Sequence, residues 1–199
     1  MTNSKLKFQI QNEAWFVKLP PGQKDLLAQS LYLFSDMKTH KRKFYDYSFI
    51  VMPASKAFEG FVKELLYKTG LISEKGYKGD RFRVGKALNP ELEHIKRLKR
   101  QALYNDLADL FGTEEVPKRL WQTWKKCRNR IFHFFPSFKQ AISLEEAEER
   151  LLQIFETMEF VNKRHKDLVE KKTFLSLGGK YKAKKPIILE KIRNHIDYS

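Results

Sequence analysis

The sequence contains very little cysteine: Cys127 is the only one in 199 residues. A single cysteine excludes an intrachain disulfide. Together with five scattered histidines, it forms no metal-ligand set at a recognised spacing. We therefore predict no structural zinc site, no metal in any functional site and no cofactor.

Long apolar runs are also absent. No stretch of about 18 apolar residues occurs, and the first eleven residues lack the apolar centre of a signal peptide. These absences predict a soluble cytoplasmic protein without a membrane segment. The 42% hydrophobic content is enough for one domain with a real core.

Acidic residues are scarce relative to basic ones. The chain has 24 Asp and Glu against 39 Lys and Arg, a formal net charge of +15. Such an excess favours polyanionic partners through counterion release, which indicates nucleic acid or an anionic lipid surface. Two alternatives stay open, a basic protein that is merely soluble and one that is balanced by an acidic protein partner. The lipid alternative would need a strongly amphipathic basic helix, and residues 187–196 are short and weakly apolar.

Strand signals are nearly absent after residue 20, so the predicted fold is all-α, a helical bundle with short arms. Alternation over Lys5–Ile10 predicts one short N-terminal strand. Periodic apolar positions predict helices over residues 23–38, 48–69, 91–111, from Pro117 towards Pro136, and 143–171, with an exposed loop over residues 73–88. We expect an N-terminal arm with the first helix (1–46), a helical domain (47–171) and a basic tail (172–199).

Two of these helices carry clear terminal signals. Gly70 stands where a left-handed C-cap residue is expected after the helix at 48–69. Ser143 and Glu146 form the pattern of a capping box, which predicts the start of the last long helix.

The segment with most chemical content is Arg128-Asn129-Arg130-Ile131-Phe132-His133. Arginine stabilises phosphate charge and histidine moves protons, which are the two functions that a metal-free ribonuclease requires. On one regular helix, with about 100° per residue, the core face would consist of Trp124, Cys127, Ile131 and Phe134. Asn129 and His133 would be neighbours on the opposite side. Arg128 would diverge from His133 by about 140° and lie at the edge of the apolar face. We therefore expect the pair to work as half of a site shared by two subunits. The alternative is that both are ordinary surface residues.

These residues resemble the HEPN superfamily, helical bundles marked by Arg-x4-6-His with a polar residue after the arginine, near the end of the helix before the last long one. The similarity covers about residues 48–170. The segment from Ala54 to Leu66 also looks like the corresponding helix in the catalytic domain of RnlA/LsoA-type toxins, the RNase LS family of toxin–antitoxin systems. That domain has a glutamate on this helix, matched here by Glu59, with Glu64 as the second candidate.

The resemblance implies a HEPN-like bundle that acts as a homodimer, cleaves RNA without metal and is inhibited by a protein antitoxin. His133 would be the general acid or base and Arg128 the charge stabiliser. Asn129 would orient the imidazole or bond a phosphate oxygen, and Glu59 would orient Arg128 or share proton transfer. For Glu59 the alternative is a solvent-facing helix residue.

Several basic residues flank the motif. Lys125, Lys126 and Arg130 are candidate ligands of RNA phosphates, with a solvated helix face as the alternative. For Trp121 and Phe132 we favour core positions over base stacking. The rival function for the whole chain is a non-catalytic nucleic-acid-binding or protein-interaction bundle in which Arg128 and His133 hold a dimer together.

Overall fold

The computed structural model describes residues 13–94, 102–133, 136 and 141–177. Regular structure within these ranges is helical and includes no strand, which confirms the all-α fold class. The strand predicted at Lys5–Ile10 and most of the predicted basic tail lie outside them. No helix in the part of the chain so described is long and apolar enough to cross a membrane.

The helical elements of the described residues follow in chain order. The α-helices are α1 (Ala14–Val17), α2 (Pro21–His40), α3 (Ser48–Lys68), α4 (Glu74–Lys78), α5 (Val84–Ala87), α6 (Tyr104–Phe111), α7 (Glu115–Trp124) and α8 (Leu144–Leu177), with a 3₁₀ helix at Pro90–His94 and a π-helical turn at Lys125–Asn129. The chain divides into two compact units. Unit 1 is drawn from Met1–Phe61 and Gln122–Phe160, and unit 2 from Val62–Trp121 and Val161–Ser199.

The core of unit 1 is built from one apolar stripe on each of α2, α3 and α8. Its fully buried side chains include Leu27, Ile50, Val51, Phe58, Leu151, Ile154 and Met158. Leu151, Ile154 and Met158 are three and four residues apart and lie on one face of α8. Val51 and Phe58 are seven residues apart and lie on one face of α3. Burial of each such side chain contributes about 1.5–3 kcal/mol to the free energy of unfolding. These apolar faces are therefore the main source of stability in unit 1.

Helix α3 contains a proline, and a serine of α2 bonds to the backbone beside it. Pro53 has no amide hydrogen and therefore cannot donate to the carbonyl one turn earlier in the helix. The next amide, that of Ala54, donates to the hydroxyl of Ser30 at 2.9 Å. This buried bond joins α2 and α3 beside the proline.

Both predicted helix-end signals are confirmed. Gly70 has a φ of 78°, the left-handed conformation in which a side chain would be strained. At the start of α8 the Ser143 amide donates to the Glu146 carboxylate at 2.8 Å, and the Glu146 amide donates to the Ser143 hydroxyl at 3.1 Å. This is the reciprocal pair of bonds that defines a capping box.

Two predictions for unit 2 are wrong. The segment 73–88 is not an exposed loop, because it forms α4 and α5 and buries Phe82, Val84, Ala87 and Leu88. The segment 91–111 is not one helix, since Pro90–His94 is a 3₁₀ helix and α6 begins only at Tyr104. The amide of Leu103 donates to the carbonyl of Ala87 at 2.7 Å, so a contact with α5 replaces the helical bond at this position. Residues 95–101 lie outside the described ranges.

Candidate active site

The Arg128 to His133 segment begins in a π-helical turn. The amide of Arg130 donates to the carbonyl of Lys125 at 3.1 Å, a bond five residues long, and the turn ends at Asn129. His133 lies in the non-helical segment that follows. The prediction of one regular helix from Pro117 towards Pro136 is therefore wrong. The helical neighbour relation expected between Asn129 and His133 does not apply, because the wider turn and the helix end interrupt the 100° rotation.

A buried serine of α3 holds the π turn in place. The Ser55 hydroxyl lies 2.6 Å from the carbonyl oxygen of Cys127 and 3.0 Å from that of Val51, one turn earlier in α3. Both Ser55 and Cys127 are 1% exposed. Since water does not reach this carbonyl, Ser55 supplies the hydrogen bond that a continuing α-helix would have supplied.

Arg128 contacts an aromatic ring and a carboxylate of its own chain. Its guanidinium carbon lies 4.8 Å above the centre of the Trp124 ring. Its Nη2 lies 3.6 Å from Oε2 of Glu59, and both side chains are about one-third exposed, at 35% and 33%. The apolar edge expected for Arg128 is thus the face of Trp124, which suits a planar cation.

The two glutamates proposed for the site differ in their surroundings. Glu59 faces Arg128, whereas Glu64 lies 2.5 Å from Nζ of Lys68, one turn further along α3. Glu59 and Ser55 are four residues apart and share one face of α3. The same face therefore fixes the backbone of the π turn and binds its arginine.

His133 is exposed and lines an open groove of about 380 Å³. The groove is also lined by Asp46, Ser48, Phe49, Met52, Ile131 and Phe132. Asp46 is fixed within it: Oδ1 accepts hydrogen bonds from the amides of Ser48 at 3.0 Å and Ile142 at 3.1 Å, and Oδ2 accepts one from the Ser48 hydroxyl at 2.6 Å. A carboxylate and a hydroxyl thus line the groove that His133 enters.

Two residues of α3 indicate how far the ion pair of Arg128 lies from the groove of His133. Glu59, which faces Arg128, and Met52, which lines the groove of His133, are seven residues apart. At 1.5 Å per residue this is about 10 Å along the helix axis. The ion pair of Arg128 and the groove that His133 lines therefore lie at different levels of α3 within one chain.

The basic residues beside the motif differ in exposure. Lys126 and Arg130 are exposed, and Lys125 is half-buried. The Nζ of Lys126 lies 3.9 Å from Glu149 on α8, a distance at which a surface pair contributes little. Lys126 and Arg130 are therefore exposed next to the π turn, and the binding of phosphate by these cations stays a prediction.

The aromatic residues near the motif separate into core and groove. Trp124 is 5% exposed, while Trp121 and Phe132 are half-buried. Trp124, Cys127 and Ile131 are all buried, which confirms the apolar face predicted for this segment. Phe134, predicted on the same face, lies outside the described residues.

Cys127 lies within the π turn, and its thiol is poorly reactive. Burial raises the pKa of its thiol to about 12, against a smaller opposing effect of Arg150 and Lys126. A thiol that stays protonated is a poor nucleophile. Its sulfur lies 3.6 Å from the carbonyl oxygen of Arg150, so it ties the π turn to α8. Within the described ranges, no cluster of three or more His, Cys, Asp and Glu side chains could hold a metal ion.

The sequence did not predict three residues that contribute to the site. They are Ser55, Asp46 and Trp124, whose ring lies beneath Arg128. The i, i+4 spacing from Ser55 to Glu59 and from Trp124 to Arg128 was a usable signal. Asp46 offered only the general signal of an Asx residue two positions before a helix.

No family model, no curated protein and no solved structure matches this chain.

Proposed function

We propose that this chain is a metal-independent endoribonuclease with a HEPN-like fold, the toxin of a toxin–antitoxin or phage-defence system, that acts in the cytoplasm. The observation that carries the proposal is the fixed position of Arg128 on Trp124, opposite Glu59, five residues before an exposed histidine in a groove. The net charge of +15 supports RNA as the substrate.

In the proposed reaction the 2′-hydroxyl of RNA attacks the adjacent phosphorus. The products are a 2′,3′-cyclic phosphate and a 5′-hydroxyl. His133 removes the 2′ proton or donates one to the leaving oxygen, and Arg128 stabilises the charge on the phosphorane-like transition state. Asn129 orients the imidazole or bonds a phosphate oxygen, and Glu59 orients Arg128. Lys125, Lys126 and Arg130 bind neighbouring phosphates.

We further propose that the active form is a homodimer. Since the ion pair of Arg128 and the groove of His133 lie at levels of α3 about 10 Å apart, we expect one phosphate to bind Arg128 of one subunit and His133 of the other. Two copies of the π turn would then meet at one basic cleft. A protein antitoxin that covers this cleft with acidic side chains would inhibit cleavage and offset the positive charge.

The test is cleavage of RNA by the purified protein in the presence of EDTA. Arg128→Ala and His133→Ala should each lose activity by at least about 100-fold. Arg119→Ala and His94→Ala are the matched controls, since Arg119 and His94 are exposed residues of unit 2. Wild type that leaves RNA intact, or full activity in either site variant, would refute the proposal.

The second candidate function is a non-catalytic dimer that binds nucleic acid or protein. It is favoured by the same ion pair, because an arginine that is one-third exposed beside a carboxylate can equally hold two subunits together. Sedimentation separates the two readings. If wild type is dimeric, cleaves no RNA and becomes monomeric in Arg128→Ala, Arg128 has the interface role.

A further inference from the structure

A second surface of unit 1 lies in the α2–α3 loop, residues 41–47. Lys41, Arg42 and Lys43 are exposed and are followed directly by Phe44, 50% exposed, and Tyr45, 89% exposed. Lysine and arginine bind phosphates, and exposed aromatic rings stack on unpaired bases. Within five residues the loop thus presents both kinds of side chain that bind single strands, cations for phosphates and aromatic rings for bases.

The loop is held in shape by Tyr47, which is 9% exposed. The Tyr47 hydroxyl donates to the carbonyl of Arg42 at 2.7 Å and accepts from the amide of Phe44 at 3.1 Å. The ring of Phe44 packs edge-on against the rings of Tyr47 and Phe49, at 5.9 and 5.4 Å between centres. A loop that is already ordered loses less conformational entropy when it binds.

The cations of the loop border an open groove of about 430 Å³. Its lining includes Lys38, Lys41, Arg42, Lys43 and Tyr47, together with Ser143 and Glu145 at the start of α8. Arg42 lies 3.9 Å from Asp36. Hydrogen bonds from its own backbone amide and from Ser143 lower the pKa of Glu145, and the charge of Lys38 adds a smaller effect in the same direction. Lys41 and Lys43 form no ion pair within 4 Å among the described residues, so their charge is available to a ligand.

We infer that the α2–α3 loop and this groove bind single-stranded RNA, with phosphates on Lys41 and Lys43 and a base stacked on Tyr45. The surface goes beyond the proposed cleavage site, and it binds RNA whether or not His133 cleaves it. The position of the other groove supports the inference. Asp46 and Ser48 line the groove of His133, and Tyr47, between them in sequence, lines this one. The two grooves thus share one short segment of chain.

The binding experiment uses fluorescence anisotropy with labelled oligonucleotides of about twelve nucleotides in which every ribose is 2′-O-methylated. Such RNA has no free 2′-hydroxyl, so loss of binding here is distinguishable from loss of cleavage. The first variant combines Lys41→Gly with Lys43→Gln. Lys41 has a left-handed φ of 48°, which glycine adopts without strain, so the charge is removed while the loop is preserved. The second variant is Tyr45→Ala.

We expect the double lysine variant to bind more weakly and to reduce the slope of log affinity against log salt by about 1.4, from about 0.7 for each lost phosphate contact. Tyr45→Ala should weaken binding by about 5- to 100-fold with little change in that slope. The controls are Lys75→Gln with Lys118→Gln, two exposed lysines of unit 2, and Tyr32→Ala, an aromatic residue of α2 that is 71% exposed. All of them should bind like wild type.

Equal binding by the loop variants and the controls would overturn the inference. So would tighter binding of blunt duplex RNA than of the single strand, because paired bases are not free to stack on Tyr45. Displacement of the RNA by poly-glutamate at an equal concentration of charge would also overturn it, since it would identify the surface as a docking site for an acidic protein. The same loop variants should also weaken the binding of single-stranded DNA of the same sequence. Tighter binding of DNA than of RNA would contradict the choice of RNA.

Discussion

The hydroxyl of Ser55 reaches the carbonyl oxygen of Cys127 at 2.6 Å, across 72 residues of sequence. This one bond connects the middle of α3 to the π turn that carries Arg128. Glu59, one turn after Ser55, contacts that arginine. The position of Arg128 therefore depends on the docking of α3 as much as on its own helix.

The first prediction concerns Ser55→Ala. Loss of the hydroxyl leaves the buried Cys127 carbonyl without this partner and should lower the free energy of unfolding by about 1–3 kcal/mol, measured by urea denaturation. Cleavage should fall as well, because the π turn is released. Ser30→Ala is the matched control, since Ser30 is equally buried and its hydroxyl accepts a hydrogen bond from Ala54. Similar instability with normal cleavage in Ser30→Ala, and impaired cleavage in Ser55→Ala, is the expected pattern; normal cleavage in both would contradict it.

The second prediction concerns the reactivity of Cys127. Because burial raises the pKa of its thiol from 9.0 to about 12, the folded protein should react with a disulfide reagent at pH 8 far more slowly than the unfolded chain. Ser55→Ala should react faster if the π turn opens. If the folded protein reacted at the same rate as the unfolded chain, the thiol of Cys127 would not be protected within the π turn.

The same shift in pKa sets a dependence of stability on pH. The folded-state pKa is the higher one, so the contribution is fully present below pH 9 and is lost as the pH rises towards 12, at up to about 1.4 kcal/mol per pH unit. Cys127→Ala should lose stability less steeply than wild type over this range. Parallel curves for the two proteins would contradict the prediction.

The third prediction concerns the contact between Glu59 and Arg128. Glu59→Gln should change the free energy of unfolding by less than about 1 kcal/mol, because a one-third exposed ion pair is screened by solvent. Cleavage should nevertheless fall, since Arg128 loses its anchor. Arg128→Lys should lose about 100-fold in rate, because an ammonium keeps the charge but cannot stack flat on Trp124.

The control for this pair is Glu115→Gln. Glu115 also faces arginines, with Arg119 at 3.3 Å and Arg164 at 3.4 Å, but it belongs to unit 2. It should cleave RNA like wild type. A rate for Glu59→Gln that matches the rate for Glu115→Gln would remove the positioning role of Glu59.

The fourth prediction concerns two buried threonines. The hydroxyls of Thr123 and Thr157 lie 2.8 Å apart, and the amide of Gln153 also donates to Thr123 at 3.3 Å. Thr123→Val should cost about 1–3 kcal/mol, because Thr157 then loses this buried partner. Thr157→Val should cost less, since Gln153 remains for Thr123. The double variant should be less destabilised than the sum of the two, and strict additivity would exclude coupling between the hydroxyls.

Sequence patterns predicted the elements whose causes are local. The stripe from Phe58 to Leu66 and the stop at Gly70 identified α3, and the capping box at Ser143 identified the start of α8. Each of these signals acts within one or two turns of chain. Periodicity and capping therefore contain enough information to place them.

The elements that the sequence did not predict depend on distant contacts. The segment 73–88 was mistaken for an exposed loop because it contains three glycines and several charges. Val84, Ala87 and Leu88 are nevertheless buried, and the carbonyl of Ala87 accepts a hydrogen bond from the amide of Leu103. The π turn likewise depends on Ser55, far away in sequence. At the site, the sequence predicted Glu59 as a candidate beside Arg128 but did not predict how the segment between Arg128 and His133 is folded.

Because the helix ends at Asn129, the interval between Arg128 and His133 is not subject to helical phase. On a continuous α-helix one inserted residue would rotate every later side chain by about 100°. After Asn129 an insertion instead lengthens a non-helical segment, which does not impose this rotation on His133. The number of residues between the arginine and the histidine is therefore a loose constraint on this chain, whereas the register of α3 against the π turn is a strict one.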